Sequence, residues 1–294
     1  MKTHALNHMQ GHSMAIYDVL FDQGKIFTTS ADKFVVKWDL NSSNQEGFTV
    51  KMNDSGFRIA LNNDNKLVIG NAKGGLHFVD IENKKELRYL TQHQSPIFGL
   101  TFNPFKNEIY SGDAEGYFAV WDAETMDLKL TIPLTCGKIR CIAISENGEV
   151  LAVCGQDGVL RIFETSFFNE IHTFKAHKDG VNCAVFMGNH LFTGGKDAFI
   201  KKWVWKDEKQ EISIPAHNYA VYDLTLMHEN NVLVSASFDK TIKLFHTDHL
   251  SVIKRLEAKD GGHKHTVNRL AKINESEFLS VSDDRSIIHW KIYK

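Results

Sequence analysis

The chain has 294 residues, of which 43% are apolar and 24% are charged, a composition typical of a soluble globular protein with a substantial core. Lys and Arg number 34 against 36 for Asp and Glu, so the formal net charge of −2 gives no electrostatic reason to expect a nucleic acid or an acidic membrane as partner. No apolar run approaches the roughly 18 residues that a membrane-spanning helix needs.

The amino-terminal segment MKTHALNHMQGH contains no apolar stretch of the kind found in secretion signals. The cysteines form no CxxC pair and fall in or beside apolar runs, so we expect buried small side chains rather than disulfides. They are Cys136, Cys141, Cys154 and Cys183. Together these features predict a cytoplasmic protein.

Short strands and turns alternate along the whole sequence. Segments such as AIYDVLF, PIFGLTF, KIRCIAI, GVNCAVF and AVYDLTL alternate apolar and polar residues and are rich in β-branched and aromatic side chains. Turn-forming segments such as DQG, PFKN and ENG follow them. No window combines a helical apolar period with capping residues, so the sequence predicts an all-β protein.

One pattern recurs seven times: a turn with an acidic residue, an alternating strand, and an aromatic residue six positions after the acid. The copies are TSADKFVVKWD (29–39), SGDAEGYFAVWD (111–122), CGQDGVLRIFE (154–164), GGKDAFIKKW (194–203), SASFDKTIKLF (235–245), SVSDDRSIIHW (280–290) and, less closely, GNAKGGLHFVD (70–80). The aromatic positions are 40 to 45 residues apart. A period of about 42 residues with four short strands per unit is typical of a β-propeller blade.

Several units end in a Trp-Asp-like dipeptide, such as Trp38-Asp39 and Trp121-Asp122, and most begin with a histidine. In these features the chain resembles the WD-repeat family over essentially its whole length. The resemblance implies a seven-bladed β-propeller with four-stranded antiparallel blades, as a single domain over residues 1–294. The predicted blades are 12–52, 53–92, 93–134, 135–176, 177–216, 217–262, and 263–294 together with 2–10.

The last of these blades is composite. When the repeats are aligned on their histidines, LNHMQGH (6–12) matches IHTFKAH (171–177), the fourth strand of a blade. Residues 2–10 are therefore predicted to pair with SIIHWKIYK, at the opposite end of the chain, and to close the ring. Closure leaves no unpaired strand edge at the junction.

The resemblance also implies a buried chain of hydrogen bonds in each blade, from Trp to Ser or Thr, to the repeat His, and to the turn Asp. The predicted members are His12, Thr28, Asp32 and Trp38; His93, Ser111 and Trp121; His177, Thr193, Asp197 and Trp203; His217, Ser235 and Asp239; and His263, Ser280, Asp284 and Trp290. Two positions depart from the pattern: Glu115 stands as the acid of blade 3, and Phe245, which has no N–H, replaces the Trp of blade 6.

In blades 2 and 4 the His, the Ser or Thr and the Trp are all replaced, as expected when a half-satisfied buried network is worse than an apolar one. The residues at the four positions are Asn53, Ile69, Lys73 and Val79, and Thr135, Val153, Asp157 and Phe163. A His-Ser-Asp set that occurs five times is not a catalytic triad, so no catalytic residue and no enzyme activity is predicted. His4, His8 and His12 lie in a predicted strand and form no ligand set, so no metal or cofactor is expected.

A partner is expected on the face that carries the histidine loops, at the residue after the Val or Ile of each first strand. These positions, with one neighbouring turn residue, give the predicted partner-binding set of Tyr17, Arg58, Phe98, Arg140, Asn182, Tyr222, Phe238 and Asn268. Tyr and Arg are enriched at interface hot spots. Arg58 and Arg140 are expected to be exposed and suited to acidic or modified peptides. A weaker candidate on the opposite face comprises Phe105 with Phe167 and Phe168, either as a docking patch or as buried clasps.

These features favour an interaction scaffold or complex subunit, a monomeric propeller that binds another protein or a peptide. The alternative is a propeller with a small-molecule or catalytic site in its central channel, which would need acids or histidines clustered at inner positions. Asp18 and Asp223 recur at one inner position, and the sequence alone offers no account of them.

Overall fold

Each repeat unit forms one antiparallel sheet of four strands. The computed structural model describes residues 1–293 and contains 28 strands arranged in seven sheets. The predicted fold, a seven-bladed all-β propeller, is confirmed. Lys294, the last residue of the predicted seventh blade, lies outside the described residues.

The strands follow the chain from blade to blade. Blade 1 contains β2 (Ile16–Asp22), β3 (Lys25–Ser30), β4 (Phe34–Asp39) and β5 (Gln45–Lys51). Blade 2 contains β6 (Gly56–Leu61), β7 (Lys66–Asn71), β8 (Leu76–Asp80) and β9 (Lys85–Leu90). Blade 3 contains β10 (Ile97–Asn103), β11 (Glu108–Asp113), β12 (Tyr117–Asp122) and β13 (Leu128–Pro133). Blade 4 contains β14 (Ile139–Ile144), β15 (Val150–Gly155), β16 (Val159–Glu164) and β17 (Glu170–Lys175).

The remaining blades follow the same order. Blade 5 contains β18 (Val181–Met187), β19 (His190–Gly195), β20 (Phe199–Val204) and β21 (Lys209–Pro215). Blade 6 contains β22 (Val221–Met227), β23 (Val232–Ser237), β24 (Ile242–His246) and β25 (Val252–Leu256). Blade 7 contains β26 (Val267–Asn274), β27 (Glu277–Ser282), β28 (Ser286–Tyr293) and, as its fourth strand, β1 (Lys2–Gln10). Single turns of 3-10 helix occur at Trp205–Asp207, His228–Asn230 and Ala258–Asp260.

Burial falls from the inside of each blade to its edge. Every residue of β11 and β23 is buried, because a central strand is paired on both sides and covered on both faces by the neighbouring blades. The outermost strand β9 is exposed at five of its six positions. Central strands can therefore be apolar on both faces, whereas outer strands alternate or are polar.

The hydrophobic core is divided into seven clusters, and each cluster lies at a junction between two neighbouring blades. The first strands of neighbouring blades contact one another all the way round the ring. The blades are thus held together by side-chain packing rather than by a shared sheet.

The amino-terminal strand closes the ring in the predicted way. β1 pairs antiparallel with β28, from Lys2 opposite Tyr293 to Gln10 opposite Ser286. Met9 is 2% exposed and joins the core cluster between blades 7 and 1. The two ends of the sequence are therefore joined within one sheet.

Candidate functional site

A β-bulge interrupts the first strand of every blade near its beginning. The register of first and second strands shifts between Ile16 and Asp18 in blade 1, and at the equivalent place in the other six. A bulge leaves one residue unpaired and re-aims its side chain. The seven bulge residues are Tyr17, Phe57, Phe98, Arg140, Asn182, Tyr222 and Asn268.

All seven bulge residues line a single cavity of about 690 Å³, called here the bulge cavity. Arg58, Lys196, Tyr219, Phe238 and Asp283 also line it. The eight residues predicted as partner-binding are thereby brought together on the face of the turns that join second to third strands. Phe57 and Tyr219 were missed in the sequence.

The sequence places Arg58 of blade 2 at the position equivalent to Tyr17 and Phe98, and this equivalence is wrong. Phe57 is unpaired there, while Arg58 lies opposite Gly70. The cause is a loop one residue shorter: Asn53 precedes the first paired residue Gly56 by three positions, whereas His93 precedes Ile97 by four. A slip of one residue moves a strand side chain to the other side of the sheet.

Arg58 is also not the exposed cation that was expected. It is half-buried, its Nε donates to the carbonyl of Phe98 (2.6 Å), and its Nη1 donates to the carbonyl of Phe57 (2.9 Å). Burial and the neighbouring Arg269 lower the pKa of Arg58 to about 10. Its guanidinium is therefore already used within the protein.

Aromatic rings form a continuous wall on one side of the bulge cavity. Tyr17 meets Phe57 edge-on with ring centroids 5.0 Å apart, and Phe57 stacks on Phe98 at 5.2 Å. The Arg140 guanidinium lies 5.2 Å from the centroid of Phe98. Aromatic and cation–π contacts stabilise the positions of the rings beyond what the burial of apolar surface contributes.

A second aromatic group stands across the cavity in blade 6. Phe238 contacts both Tyr219 and Tyr222, with ring centroids 5.8 Å and 6.0 Å apart. Tyr219 is 60% exposed and Phe238 is 47% exposed. This group offers apolar surface at the mouth of the cavity.

The two asparagines of the set connect neighbouring blades. Asn182 donates to the carbonyl of Val221 in blade 6 (2.9 Å), and Asn268 donates to the carbonyl of Ile16 in blade 1 (2.7 Å). Asn268 also donates to Asp283. Both side chains are fixed by these bonds, so they shape the cavity wall.

The cavity is partly shielded from water. Burial, and next the nearby Asp283, raise the pKa of Tyr17. Burial is also the main cause of the raised pKa of Tyr222 and of the lowered pKa of Arg140. Electrostatic contacts made by a bound group would accordingly be stronger here than on an open surface.

Under the bulge cavity, four charged side chains alternate in sign over four successive blades: Asp223, Arg269, Asp18 and Arg58. Arg269 Nη1 lies 2.9 Å from Asp223 Oδ1, and Arg269 Nε lies 3.7 Å from Asp18 Oδ1. Asp18 also accepts the backbone N–H of Ile59, and Asp223 accepts that of Leu270. Each acid therefore links its blade to the next, which accounts for the recurring aspartates.

Five blades contain the hydrogen-bonded chain that the sequence suggested. In each, the His Nδ1 lies 2.8–3.0 Å from a carboxylate and the His Nε2 lies 2.7–2.8 Å from a Ser or Thr hydroxyl. In four of them a Trp Nε1 donates to that hydroxyl at 2.8–3.0 Å. Because an ionised carboxylate can only accept, the His Nδ1–H donates to it, and Nε2 of the neutral ring then accepts from the hydroxyl.

The assignment of Glu115 as the acid of blade 3 is wrong. His93 Nδ1 contacts Asp113 at 2.9 Å, and Asp113 also accepts the backbone N–H groups of Glu115 and Tyr117. A gapless alignment cannot show this, because the carboxylate comes from two residues earlier in the same turn. Blade 3 thus retains the full network.

Blades 2 and 4 stabilise the same turn differently. In blade 2, Asn71 Oδ1 accepts the backbone N–H groups of Lys73 and Gly75. In blade 4, Asp157 pairs with Arg161 at 2.7 Å. Neither blade has a buried histidine to satisfy.

The three candidate phenylalanines on the opposite face differ in burial, and they have two different roles. Phe168 is a clasp, since its ring contacts Tyr110 and Phe118 at 5.8 Å and 6.0 Å. Phe105 and Phe167 are 65% and 82% exposed, on loops joined by a hydrogen bond from Lys106 to Ser166 (3.4 Å). Only this exposed pair could serve as a docking patch.

Within residues 1–293, no three His, Cys, Asp or Glu side chains are grouped so that they could hold a metal ion. None of the helices in this part of the chain is long and apolar enough to cross a membrane.

Comparison with known proteins agrees with the geometry. The family model described as "WD domain, G-beta repeat" matches residues 84–122 and 208–246, and that of the "Anaphase-promoting complex subunit 4 WD40 domain" matches residues 119–189. The chain belongs to the WD-repeat family of seven-bladed β-propellers.

Similar curated proteins come from several organisms. The chain is 30% identical to mouse guanine nucleotide-binding protein subunit beta-like protein 1, over 47% of this chain and 43% of that protein. It is 22% identical to rat WD repeat-containing protein 55, over 90% of this chain and 71% of that protein. It is 23% identical to polyadenylation factor subunit 2 of Cryptococcus neoformans, over 45% of this chain and 19% of that protein. The chain spans less than half the length of the first of these relatives.

Proposed function

We propose that this protein is an interaction scaffold or complex subunit that binds a segment of another protein in the bulge cavity. The observation that carries the proposal is the convergence of one residue from each of the seven blades on a single cavity with an aromatic wall. Tyr, Phe and Arg side chains held in a partly dehydrated recess have the character of interface hot spots. WD-repeat propellers typically serve as scaffolds, and two relatives carry the word subunit in their names.

The shape of the site favours a protein segment over a small metabolite. The exposed rings of Tyr219 and Phe238 extend the apolar surface outward from the cavity. The acids that a catalytic site in the channel would need, Asp18 and Asp223, are bonded to Arg269 and to backbone N–H groups. The cytoplasmic location stays a prediction.

Site-specific photo-crosslinking in the native lysate tests this proposal. A photoreactive phenylalanine analogue replaces Phe238 in one sample and Phe167, on the opposite face, in another. Both side chains are well exposed, so neither replacement should disturb the fold. We expect a defined crosslinked protein from position 238, reduced at least about tenfold by Phe98→Ala, as for a hot-spot aromatic.

The control distinguishes the two faces. Position 167 should give only diffuse or no products, and Phe105→Ala should leave crosslinking at position 238 unchanged. A defined partner at position 167, with nothing at position 238, would move the binding site to the exposed Phe105–Phe167 pair.

A further inference from the structure

Two cations of blade 4 stand beside one aromatic ring in the bulge cavity. Arg140 lies 5.2 Å and Lys138 Nζ lies 5.5 Å from the centroid of Phe98. Both are half-buried, so the expectation that Arg140 is exposed is wrong. Phe57 stacks on the same ring and limits where its neighbours can move.

Neither cation has an acidic or hydrogen-bonded partner for its charged group within residues 1–293. Other arginines do: Arg88 pairs with Asp127 (2.6 Å), Arg161 with Asp157 (2.7 Å) and Arg269 with Asp223 (2.9 Å). Arg58 donates to two carbonyls. The Arg140 guanidinium is thus set apart by being half-buried with no acceptor for its five N–H donors.

The positive charges of Arg140 and Lys138 are not balanced by a paired acid within residues 1–293. Burial lowers the pKa of Arg140, which reflects the cost of removing a cation from water, and Lys138 places a second positive charge beside the same ring. A cation–π contact offsets part of the cost but supplies no oxygen acceptor. A guanidinium against an aromatic ring keeps its fork of N–H groups free for an oxyanion.

No carboxylate of the cavity can move in to fill this role. Asp197 is held by His177 in the buried network of blade 5. Asp283 belongs to blade 7 and accepts from Asn268. The carboxylates that line the cavity therefore belong to blades 5 and 7, whereas Lys138 and Arg140 of blade 4 form no ion pair within residues 1–293.

We propose that Arg140 and Lys138 form the subsite for an acidic segment of the partner, with one Asp or Glu carboxylate on the Arg140 fork and a neighbouring acid near Lys138. An apolar side chain of the same segment packs against Phe57 and Phe98. This inference rests on the proposed function, since it specifies the segment that the bulge cavity binds. The two unpaired positive charges select a pair of acids over a single one.

The test is an array of short synthetic peptides that carry one Phe, Trp or Leu at varied distance from a Glu-Glu pair. Matched copies carry Gln-Gln or phosphoserine at the pair. We expect the Glu-Glu peptides to bind about tenfold or more tightly than the Gln-Gln copies, as charge-assisted hydrogen bonds give. Arg140→Gln should remove this preference, Lys138→Gln should reduce it, and Arg140→Lys should restore part of it.

Arg285→Gln is the matched control, because Arg285 is an exposed cation of the same face in the turn before β28. It should leave the preference unchanged. Equal loss in Arg285→Gln would mean diffuse attraction and overturn the subsite. Binding of Gln-Gln peptides at full strength would overturn it too, and markedly tighter phosphoserine binding would replace the carboxylate pair by a phosphate.

The inference and the proposed function fail separately. If position 238 crosslinks a partner but Arg140→Gln and wild type capture it equally, the bulge cavity binds a segment without using this subsite, and the inference is wrong. A melting curve for Arg140→Gln and Arg140→Lys verifies that each variant is folded, and the conservative Arg140→Lys keeps the test decisive if Arg140→Gln unfolds.

Discussion

Arg269 Nη1 donates to Asp223 Oδ1 over 2.9 Å, and this contact joins blade 7, the blade that closes the ring, to blade 6. The same guanidinium approaches Asp18 of blade 1 on its other side. All three residues are at most 9% exposed. One arginine therefore spans both junctions of the closing blade.

Removing this arginine should strongly destabilise the protein. Arg269→Met leaves Asp223 buried without its ion-pair partner and leaves Asp18 with Arg58 as its remaining nearby cation. Breaking one side of a buried pair typically costs about 3–5 kcal/mol. The midpoint of urea unfolding measures the loss. Adding Asp18→Asn and Asp223→Asn should recover part of it, while Arg88→Met, which breaks an exposed pair, should cost less than about 1 kcal/mol. Equal midpoints for Arg269→Met and Arg88→Met would contradict a structural role for the charged cluster.

Deleting residues 1–10 should open the ring. β28 would lose its outer partner, Met9 would leave the core between blades 7 and 1, and the sheet edge beside Ile288 and Trp290 would be exposed. We expect a loss of several kcal/mol, on the scale of a few large apolar side chains at about 1.5–3 kcal/mol each. Leu6→Ser, at an exposed bulge of the same strand, should change stability by less than about 0.5 kcal/mol. A truncated protein with the same melting temperature as the full chain would show that β1 does not hold the ring closed.

Asp113→Ala and Glu115→Ala should behave differently although both remove an acid from the same turn. Asp113 accepts from His93 and from two backbone N–H groups, so its loss leaves a buried histidine unpaired at a cost of about 1–3 kcal/mol. Glu115 makes no such contact, so Glu115→Ala should unfold at the same denaturant concentration as wild type. Chemical denaturation of both variants shows which acid belongs to the network. If Glu115→Ala were the less stable variant, Glu115 would be the acid of blade 3, as assigned from the sequence.

Acid should destabilise the fold as the network aspartates are protonated. Burial would raise the pKa of Asp197, but the hydrogen bond from His177 and backbone N–H groups outweigh it and lower the pKa to about 2. The pKa of Asp32 and Asp113 is also lowered, with the same opposing causes. Because the unfolded chain binds protons first, the free energy of unfolding should fall as the pH falls from about 4 toward 2.

The pKa of His217 is lowered by burial, so protonation of the unfolded chain adds a loss in the same direction that begins near pH 6.5. Unfolding curves across this range measure the slope. Asp197→Asn should be less stable at neutral pH but lose less on acidification. A wild-type free energy of unfolding that is constant from pH 4 to pH 2 would contradict these pKa shifts.

Features that are shared by several blades could be predicted from the sequence, whereas features that are particular to one blade could not. Spacing indicates seven blades and the closing strand, because each copy supports the others, and the resemblance to WD-repeat propellers correctly implies the networks of four blades. Prediction from the sequence fails at Arg58, where one missing loop residue shifts the register, and at Asp113, where the acid has moved within its turn. It could not pair Asp18 with Arg269, since these residues meet only once the ring has closed.

Phe57 and Arg58 are adjacent, and their substitutions should have separate effects. Phe57→Ala removes the ring between Tyr17 and Phe98 and should weaken crosslinking from position 238 by about tenfold or more, as for a central aromatic. Arg58→Glu instead places a third acid beside Asp18 and Asp223 and should destabilise the fold by several kcal/mol, like other unpaired buried charges. Thermal melting and crosslinking yield, measured on the same samples, separate binding from stability. An Arg58→Glu protein that melts like wild type but has lost its partner would return Arg58 to the binding surface.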